Sequence, residues 1–509
     1  MSDGRWVEFE GKKYTVSDGQ TALDAMLRGG ANLFFSCRKG SCRSCMLEAV
    51  SGDPGEAAYA RLPDELRDLG FFLPCVATDP DQVVSRTPDL SRWVMRAGLA
   101  GRSWLTEGVL RVLLEPEQVL DWRPGQYLSL RHPSGAVRSY SIASHPGDYY
   151  IELHIRVYPE GAVSPWLAEG LEIGDMVEFT GPVGICYYSD DLAAVPLVML
   201  ATGTGAGAIL GIARETLRRD PAHEIHLYHG SATEAGLYVQ SEFAALAAAH
   251  PNVRATCLAS REAAKTRASD QMLADHPDLQ NKALFMCGNA DMVEAARIGA
   301  VERGIELARI FADPFEPPTP YAPKDTAKIA AFPPSPEMWA ALDDGAMLTR
   351  ILTDFYDRVF EDPRLAPFFY KVTKQRLIEK QFAFTRDLLL GQKDYFGERP
   401  FNSHHWMIIS DALFDYREQV FFEVVRAHGL PEKFVRVWAG LNERFRREIV
   451  KSTERGQIMD GKEHFRNAKT REVITVDTLC DSCSCEIRAG ETVLLLQRTG
   501  EVFCETCSK

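Results

Sequence analysis

Twelve cysteines are the residues of this sequence with the clearest capacity for chemistry, and nine of them form two groups near opposite ends of the chain. We expect a cytoplasmic protein, because residues 1–6 lack the basic start of a signal peptide and no run of about 18 apolar residues occurs. Disulfides are rare in that compartment. Both groups are therefore predicted to bind metals.

The first group has the spacing of an iron–sulfur site. Cys37, Cys42 and Cys45 follow the order C-x4-C-x2-C, and Cys75 stands further along the chain. With this spacing, plant-type proteins hold a 2Fe-2S cluster in a tight loop. Residues 1 to 90 therefore resemble plant-type ferredoxin. The resemblance implies a β-grasp domain that carries one electron at a time.

The second group forms two short knuckles that an apolar segment at 491–496 separates. Cys480 and Cys483 make the first knuckle, Cys504 and Cys507 make the second, and Cys485 is a spare thiol. Four thiolates in this order fit a zinc ribbon, in which the metal replaces a core too small to fold by itself. A rubredoxin-like iron site has similar spacing and remains the alternative, although its usual Pro and Gly residues are missing here.

A third chemical pattern is the run Arg138, Tyr140 and Ser141 between the alternating apolar segments 127–131 and 149–157, which predicts a barrel strand. An isoalloxazine ring needs an aromatic wall and hydroxyl donors, and the phosphates of its tail need a cation. The Arg-x-Tyr-Ser stretch resembles the flavin motif of the ferredoxin-NADP reductase family, which implies that FAD binds here. The residues predicted to hold its pyrophosphate are Gly161, Val163 and Ser164.

A glycine-rich turn follows the apolar strand 195–201 and opens a helix. Small residues there let the backbone approach a pyrophosphate at the helix N-terminus. In the same reductase family, a Cys-Gly pair after a later strand borders the nicotinamide, so the resemblance implies NADH or NADPH as cofactor. We expect NADH, because Ala232 stands where phosphate-selecting relatives often have Arg, although Arg261, Lys265 and Arg267 are close enough in sequence to replace it. The residues predicted to bind the dinucleotide are Gly203, Thr204, Gly205, Gly207, Cys287 and Gly288.

Beyond a Pro- and Ala-rich interval at 314–336 the pattern becomes wholly helical. Apolar residues with helical spacing predict two faces that pack in a core. The first face consists of Leu348, Ile351, Leu352, Phe355, Tyr356 and Val359, and the second of Phe414, Val420, Phe421, Val424 and Val425.

Two motifs in this helical region, Asp354-Phe355-Tyr356 and His404-His405-Trp406-Met407, resemble the truncated haemoglobin family along residues 340 to 450. The resemblance implies an all-α globin that holds haem b through a proximal histidine. Its spacing to Ile409 and Phe414 makes His404 the predicted ligand, and His405, about 100 degrees away on a helix, is the reserve candidate. The other residues implied are Phe369 against the porphyrin, and Tyr356, Leu377 and Gln381 over the distal face, where a phenol and an amide could hydrogen-bond oxygen.

A chain of 509 residues exceeds the size, about 250 to 300 residues, at which a single core stops growing. We therefore predict a multidomain protein. The predicted parts are a 2Fe-2S ferredoxin domain at 1–90, an FAD-binding β-barrel at 95–190, an α/β NAD(P)-binding domain at 191–318, a linker at 319–338, a truncated haemoglobin-like domain at 339–452, a linker at 453–472 and a zinc ribbon at 473–509.

These cofactors would form an electron pathway from NAD(P)H through FAD and 2Fe-2S to haem. The resemblance to reductase-fused haemoglobins implies a nitric oxide dioxygenase with oxygen, nitric oxide and NAD(P)H as substrates. One alternative is the reductase component of an oxygenase, which residues 1 to about 310 resemble in domain order. Another is a redox or gas sensor whose zinc ribbon contacts a protein partner. A formal charge of -14 argues against nucleic acid, and the lack of long apolar runs argues against a membrane.

Overall fold

A computed structural model of the 509-residue chain gives the fold. The chain forms two compact units. The first unit is Met1–Pro320 with Val435–Arg444, and the second is Tyr321–Phe434 with Phe445–Lys509. The structure describes residues 5–31, 33, 35, 40, 43, 45–60, 62, 64–89, 93–262, 265–315, 322–362, 364–369, 372–392, 395, 397–407, 409–451, 455–459, 462–464, 469–474, 477–496 and 501–507.

The first unit opens with a small mixed sheet that one helix covers. The elements are β1 (Trp6–Phe9), β2 (Lys12–Thr15), α1 (Ala22–Arg28), β3 (Leu47–Asp53), α2 (Asp64–Asp68), β4 (Phe71–Phe72) and β5 (Asp81–Arg86). The strand order is β2-β1-β5-β3-β4, and β1 and β2 form the antiparallel hairpin that their alternating residues predict. Thr21 caps α1 by accepting a hydrogen bond from the Asp24 backbone. This is a ferredoxin-like domain.

An antiparallel barrel follows. The elements are β6 (Met95–Thr106), β7 (Val109–Pro116), β8 (Tyr127–Arg131), β9 (Val137–Ser141), β10 (Ile151–Arg156), α3 (Val163–Glu169) and β11 (Met176–Val183). The order is β10-β7-β6-β11-β8-β9, and a bridge between Ile142 and Leu153 connects the two edge strands. Alternate residues such as Leu110, Val112 and Leu114 fill the interior, as expected for strands with one buried face.

The third part is a parallel sheet with helices on both faces. The elements are β12 (Leu197–Thr202), α4 (Gly205–Arg219), β13 (Ile225–Ser231), α5 (Gln240–Ala249), β14 (Val253–Ala259), α6 (Ala268–Asp275), β15 (Ala283–Asn289), α7 (Ala290–Glu302) and β16 (Ile310–Phe315). The order is β14-β13-β12-β15-β16. Met199 packs in the core on one face and Leu200 in the core on the other. This two-sided burial explains why β12 is apolar throughout.

The second unit is mainly helical. Its helices are α8 (Asp325–Ala330), α9 (Pro336–Ala341), α10 (Ala346–Glu361), α11 (Lys374–Leu390), α12 (Pro400–Ser403), α13 (Asp411–Ala427) and α15 (Arg446–Ile449), while α14 (Glu432–Glu443) contributes residues to both units. Ser410 caps α13 by accepting a hydrogen bond from the Leu413 backbone. Both predicted apolar faces are confirmed, because α10 and α13 bury all eleven of those residues.

Short strands complete the second unit. They are β17 (Gln457–Met459), β18 (Lys462–His464), β19 (Lys469–Val473), β20 (Thr478–Leu479), β21 (Glu486–Ile487), β22 (Thr492–Leu496) and β23 (Glu501–Phe503). The interval 453–472, predicted to be an exposed linker, thus contains strands, and Gln457 in it is buried. The Pro- and Ala-rich interval likewise contains α8, with Asp325 buried. Among the described residues, no helix combines the length and apolar character needed to cross a membrane.

Candidate functional site

Strand β9 presents the predicted flavin residues on its two faces. Arg138 and Tyr140 share one face, because side chains alternate along a strand, and they pair with Leu130 and Leu128 of β8. Arg138 is exposed, so its guanidinium is accessible to a phosphate. Tyr140 is half-buried, and burial raises the pKa of its phenol to about 12 against the opposing effect of Arg138. The phenol therefore stays neutral and offers an aromatic wall.

Ser141 is paired with a residue that the sequence patterns did not reveal. Its hydroxyl donates to Asp313 Oδ2 over 2.7 Å, although 172 positions separate the two residues. Burial raises the pKa of Asp313, and the hydrogen bond from Ser141 opposes that rise. The only sequence signal for Asp313 is an acidic residue near the carboxyl end of β16, the edge of a parallel sheet where ligands bind. The pair can hold a proton beside β9.

The second predicted flavin stretch forms the start of α3. Ser164 is buried, and its hydroxyl accepts a hydrogen bond from the Tyr158 backbone over 3.1 Å. The Val163 side chain belongs to the barrel core. Gly161 lies against the Tyr158 carbonyl, which is 3.1 Å from where a Cβ would be. Thus Ser164 closes the turn, and the backbone of this stretch is the part that can meet a phosphate.

The glycine-rich turn connects β12 to α4 beside the end of β15. Gly203 has a φ of +54° with open space around its Cα, and Thr204 precedes the first residue of α4. Gly205 lies so close to β15 that a Cβ would be 2.2 Å from the Cys287 carbonyl oxygen. Gly288, with a φ of +129°, approaches Thr202 in the same way. The glycine-rich turn and the Cys-Gly pair thus meet between β12 and β15, where the strand order of the sheet reverses. Sheets of this kind bind dinucleotides at that point.

Gly207, which the sequence predicts to contact the pyrophosphate, also packs closely against the barrel. A Cβ on this residue would lie 2.4 Å from His154 Nδ1. His154 belongs to β10 of the barrel, and it bonds through Nδ1 to Tyr238 Oη at 3.0 Å and through Nε2 to Glu152 at 2.8 Å. The missing side chain of Gly207 therefore makes room for a buried imidazole that joins the barrel to the parallel-sheet domain.

Glu152 anchors the other end of this network. Burial raises the pKa of its carboxyl, but hydrogen bonds from His154 and Arg111 outweigh that effect and lower the pKa to about 2. Arg111 donates to Glu152 over 2.5 Å. The carboxylate therefore stays charged at neutral pH and holds the imidazole in place.

The cysteine loop of the ferredoxin-like domain contacts the barrel through Arg43. Cys45 and Cys75 are buried, while Cys37 and Cys42 lie outside the described residues. Arg43 adopts a φ of +59° and donates from Nη1 to the Pro182 carbonyl over 3.1 Å. Burial lowers the pKa of its guanidinium, and Asp121 and Tyr187 oppose that shift. The half-buried charge of Arg43 thus connects the ferredoxin-like domain to the barrel.

Comparisons with known proteins agree with this architecture. The 2Fe-2S iron–sulfur cluster binding domain matches residues 7–78, the oxidoreductase FAD-binding domain 107–188 and the oxidoreductase NAD-binding domain 199–297. The chain is 35% identical over 328 residues to the reductase subunit of aromatic O-demethylase from Amycolatopsis sp. (strain ATCC 39116 / 75iv2), covering 61% of this chain and 98% of that protein. The chain belongs to this family of 2Fe-2S, FAD- and NAD-binding oxidoreductases.

Other members of the family have similar names. The chain is 31% identical over 269 residues to the reductase component of phenol 2-monooxygenase from Pseudomonas sp. (strain CF600), covering 50% of this chain and 74% of that protein. A solved cytochrome P450 reductase from Amycolatopsis has 32% identity and a TM-score of 0.44, covering 62% of this chain and 100% of that one. The names of the aromatic O-demethylase and phenol 2-monooxygenase reductases thus support the prediction of a reductase component better than that of a nitric oxide dioxygenase.

In the second unit, His404 lies at the end of α12 with its ring fixed. Its Nδ1 is 2.8 Å from the Pro400 carbonyl and 2.9 Å from Ser403 Oγ. Burial lowers the pKa of His404 to about 4. When a carbonyl holds Nδ1 of a neutral imidazole, Nε2 is the nitrogen that can bind a metal. His405, the reserve candidate, is also buried and bonds through Nδ1 to the Asn402 carbonyl.

The predicted distal residues lie on α10 and α11. Tyr356 is buried, and its ring is 6.1 Å from that of Phe369. Leu377 and Gln381, four positions apart on α11, are both half-buried. Arg417, from α13, lies over the ring of Phe355 at 4.8 Å. Burial raises the pKa of Tyr356 and the charge of Arg417 opposes that rise, whereas the same charge adds to the effect of burial that lowers the pKa of His404. Arg417 therefore lies near residues from both predicted sides of the haem.

The four knuckle cysteines converge. The sulfur atoms of Cys480, Cys483, Cys504 and Cys507 all lie within 4.8 Å of one another. Backbone N–H groups, led by that of Cys504, lower the pKa of Cys480 to about 6. Four thiols at this spacing, one of them readily deprotonated, form the donor set that a tetrahedral thiolate site needs.

Proposed function

We propose that this chain is the reductase component of an oxygenase system, which takes electrons from NAD(P)H and passes them singly from its 2Fe-2S cluster to an oxygenase partner. The hydrogen bond from Arg43 to the Pro182 carbonyl carries the proposal, because it joins the cysteine loop of the ferredoxin-like domain to the barrel. An electron leaving the barrel would thus have its exit in the ferredoxin-like domain. The names of the relatives support the same direction.

The residues of the chain have distinct roles in this proposal. FAD, when bound, accepts the two electrons of a hydride and releases them one at a time. Tyr140 provides the wall for its ring, and Arg138 neutralises its phosphates. Asp313 and Ser141 hold and move a proton at the Ser141 hydroxyl. A 2.7 Å hydrogen bond connects this hydroxyl to the Asp313 carboxylate. The backbone of the turn at Gly203 and Gly205 receives the dinucleotide.

The test compares two electron acceptors. Ferricyanide accepts electrons from reduced flavin, whereas cytochrome c stands in for a partner that accepts from the cluster. We expect NADH to support both reactions in the wild type, and Cys42→Ser to abolish cytochrome c reduction while ferricyanide reduction persists. Equal cytochrome c reduction by this variant would contradict the proposed exit through the cluster. Anaerobic reduction with NADH and with NADPH measures which dinucleotide the chain prefers.

A second candidate function makes the helical unit an acceptor on the same chain. It rests on the His404 imidazole, whose Nδ1 is bonded to the Pro400 carbonyl so that Nε2 is available as a ligand. With haem bound there, Phe369 would pack on the porphyrin, and Tyr356 and Gln381 would donate to a ligand. We expect His404→Ala to lose the haem spectrum while ferricyanide reduction persists. NADH-driven consumption of nitric oxide by the wild type would favour the nitric oxide dioxygenase prediction over the reductase component.

The tail is proposed to bind one zinc ion through the four converging knuckle cysteines. Iron, as in a rubredoxin-like site, is the competing metal. Metal analysis of the purified chain distinguishes the two, and a protein partner that is lost when 473–509 are deleted would give the tail a docking role.

A further inference from the structure

Two buried thiols from different domains lie in contact inside the first unit. Cys186 Sγ, from the segment after β11, is 3.6 Å from Cys287 Sγ of β15. The two residues are 2% and 0% exposed. Cys287 is the member of the Cys-Gly pair assigned above to the dinucleotide, whereas nothing above uses Cys186. Both side chains pack in one core of the parallel-sheet domain. The pair therefore connects β15 to the segment through which the chain leaves the barrel.

The backbone on each side fixes this distance. A Cβ on Gly125, whose φ is +90°, would lie 1.9 Å from the Cys186 carbonyl oxygen. A Cβ on Gly205 would lie 2.2 Å from the Cys287 carbonyl oxygen. Each cysteine is thus held by a neighbouring glycine backbone at a distance that no other residue type permits. Because both backbones are closely packed, the two thiols are held near each other and do not meet by free rotation in a loose cavity.

We propose that Cys186 and Cys287 are a redox modification site, which hydrogen peroxide converts to a disulfide that locks the barrel to the parallel-sheet domain. Two S–H bonds and the O–O bond of the peroxide break, one S–S bond forms, and the two thiol protons leave in two molecules of water. The thiols are oxidised by two electrons and the peroxide is reduced by two. A disulfide needs an S–S length of about 2.05 Å, so the sulfurs approach by about 1.5 Å.

The disulfide acts where the dinucleotide is proposed to bind. Closing the gap between the sulfur atoms pulls Cys287 and the adjacent Gly288 toward the barrel. Gly288 already packs tightly, since a Cβ on this residue would lie 2.4 Å from the Thr202 carbonyl oxygen. The strand end therefore cannot shift without disturbing the glycine-rich turn. A displacement of about 1 Å at a reacting centre costs up to about a hundredfold in rate. This effect on turnover rests on the proposed function, whereas formation of the disulfide does not.

The oxidation is expected to be slow. The hydrogen bond with Cys186 and burial both raise the pKa of Cys287, so the thiol form dominates at neutral pH. Because the thiolate is the nucleophile, brief exposure to peroxide leaves the pair reduced and sustained exposure oxidises it. The site would then respond to lasting peroxide, as forms when a reduced flavin reacts with oxygen, and stay silent in normal turnover.

The experiment treats the full chain, loaded with FAD, with hydrogen peroxide and follows it in two ways. Trypsin digestion without reductant and mass spectrometry should detect one cross-linked peptide pair containing Cys186 and Cys287, which dithiothreitol separates. NADH-dependent ferricyanide reduction should fall by about 10- to 100-fold and recover with dithiothreitol. Cys186→Ala cannot form the disulfide, so it should keep its activity under peroxide, or lose activity that dithiothreitol does not restore. Cys257→Ala is the matched control and should behave as wild type.

The outcomes separate the two claims. Absence of the cross-linked peptide after sustained peroxide treatment, with oxidation of Cys287 to a sulfinic acid instead, would overturn the disulfide. A cross-link with unchanged turnover would support the disulfide and contradict the assignment of this strand end to the dinucleotide. FAD content and the melting temperature of Cys186→Ala before treatment establish that this variant folds.

Discussion

Substitution of Gly207 by Ala tests whether this glycine serves packing between the barrel and the parallel-sheet domain. The added Cβ would lie 2.4 Å from His154 Nδ1 and 2.7 Å from its Cγ, where ordinary contacts begin at 3.4 Å. The overlap is therefore 3.4 minus 2.4, or 1.0 Å. The imidazole cannot rotate away freely, because it is buried and bonded on both sides to Tyr238 and Glu152.

Two costs follow from that overlap. Forcing extra volume into a packed site destabilises by about 1 to 3 kcal/mol, and breaking one buried hydrogen bond adds about 1 to 3 kcal/mol. We expect Gly207→Ala to lower the free energy of unfolding of the first unit by about 2 to 6 kcal/mol, the sum of these costs. Denaturation in urea, followed by the release of flavin fluorescence, measures it. Gly98→Ala is the control, because its Cβ would meet only Met176 Sδ at 3.8 Å.

A double-mutant cycle identifies the cause. His154→Ala removes the ring that the new methyl group meets, so Gly207→Ala in that background should cost less than about 1 kcal/mol, since Ala favours a helix over Gly. The coupling free energy between the two positions is then expected to exceed about 1 kcal/mol, whereas independent sites add within about 0.5 kcal/mol. Additive effects would refute the packing role of Gly207.

Four further perturbations give direct tests. Arg43→Gln should slow cytochrome c reduction about tenfold and leave ferricyanide reduction unchanged, and equal slowing of both would contradict its role at the electron exit. Ser141→Ala should slow flavin reduction by NADH in stopped-flow by about 10² to 10⁴, with an unchanged rate counting against the proton path. Burial lowers the pKa of His276 to about 4, so between about pH 6.5 and 4 the unfolded chain binds more protons than the folded chain. The free energy of unfolding of the first unit should therefore fall by about 2 kcal/mol as the pH drops through this range. His276→Asn should flatten that pH dependence in urea unfolding. Cys480→Ser should lower bound zinc, measured by a chromogenic chelator, while flavin content stays constant.

Local periodicity was sufficient to predict several of the elements. The β1–β2 hairpin, the apolar β12 and the buried faces of α10 and α13 each follow from side-chain alternation within one segment, and the structure contains all of them. Composition predicted less. The Pro- and Ala-rich interval contains α8, and Asp325 of that helix accepts a hydrogen bond from the Phe401 backbone over 3.2 Å, a contact between residues 76 positions apart.

The candidate site follows the same rule. Arg138, Tyr140 and Ser141 could be predicted because they are neighbours on one strand, whereas Asp313 and His154 come from other elements and gain their meaning from the fold. A glycine in a turn also has no intrinsic role in the sequence, since only its neighbours in space show what its missing side chain admits. The sequence therefore indicates the 2Fe-2S, FAD and NAD(P)H cofactors, and the tertiary contacts specify how the domains proposed to hold them are joined.

The glycines of α4 show why this junction affects several functions at once. Gly205 lies against Cys287, Gly207 against His154, and a Cβ on Gly211 would be 2.4 Å from the Ala143 carbonyl oxygen of the barrel. One helix thus contacts the strand end proposed for the dinucleotide and the barrel proposed for the flavin through positions that allow no side chain. Because close-packed interfaces transmit small shifts rather than absorbing them, a change at any of these glycines should alter both the thiol distance and the rate of flavin reduction. Sensitivity to peroxide and turnover are therefore expected to change together across a series of α4 glycine variants.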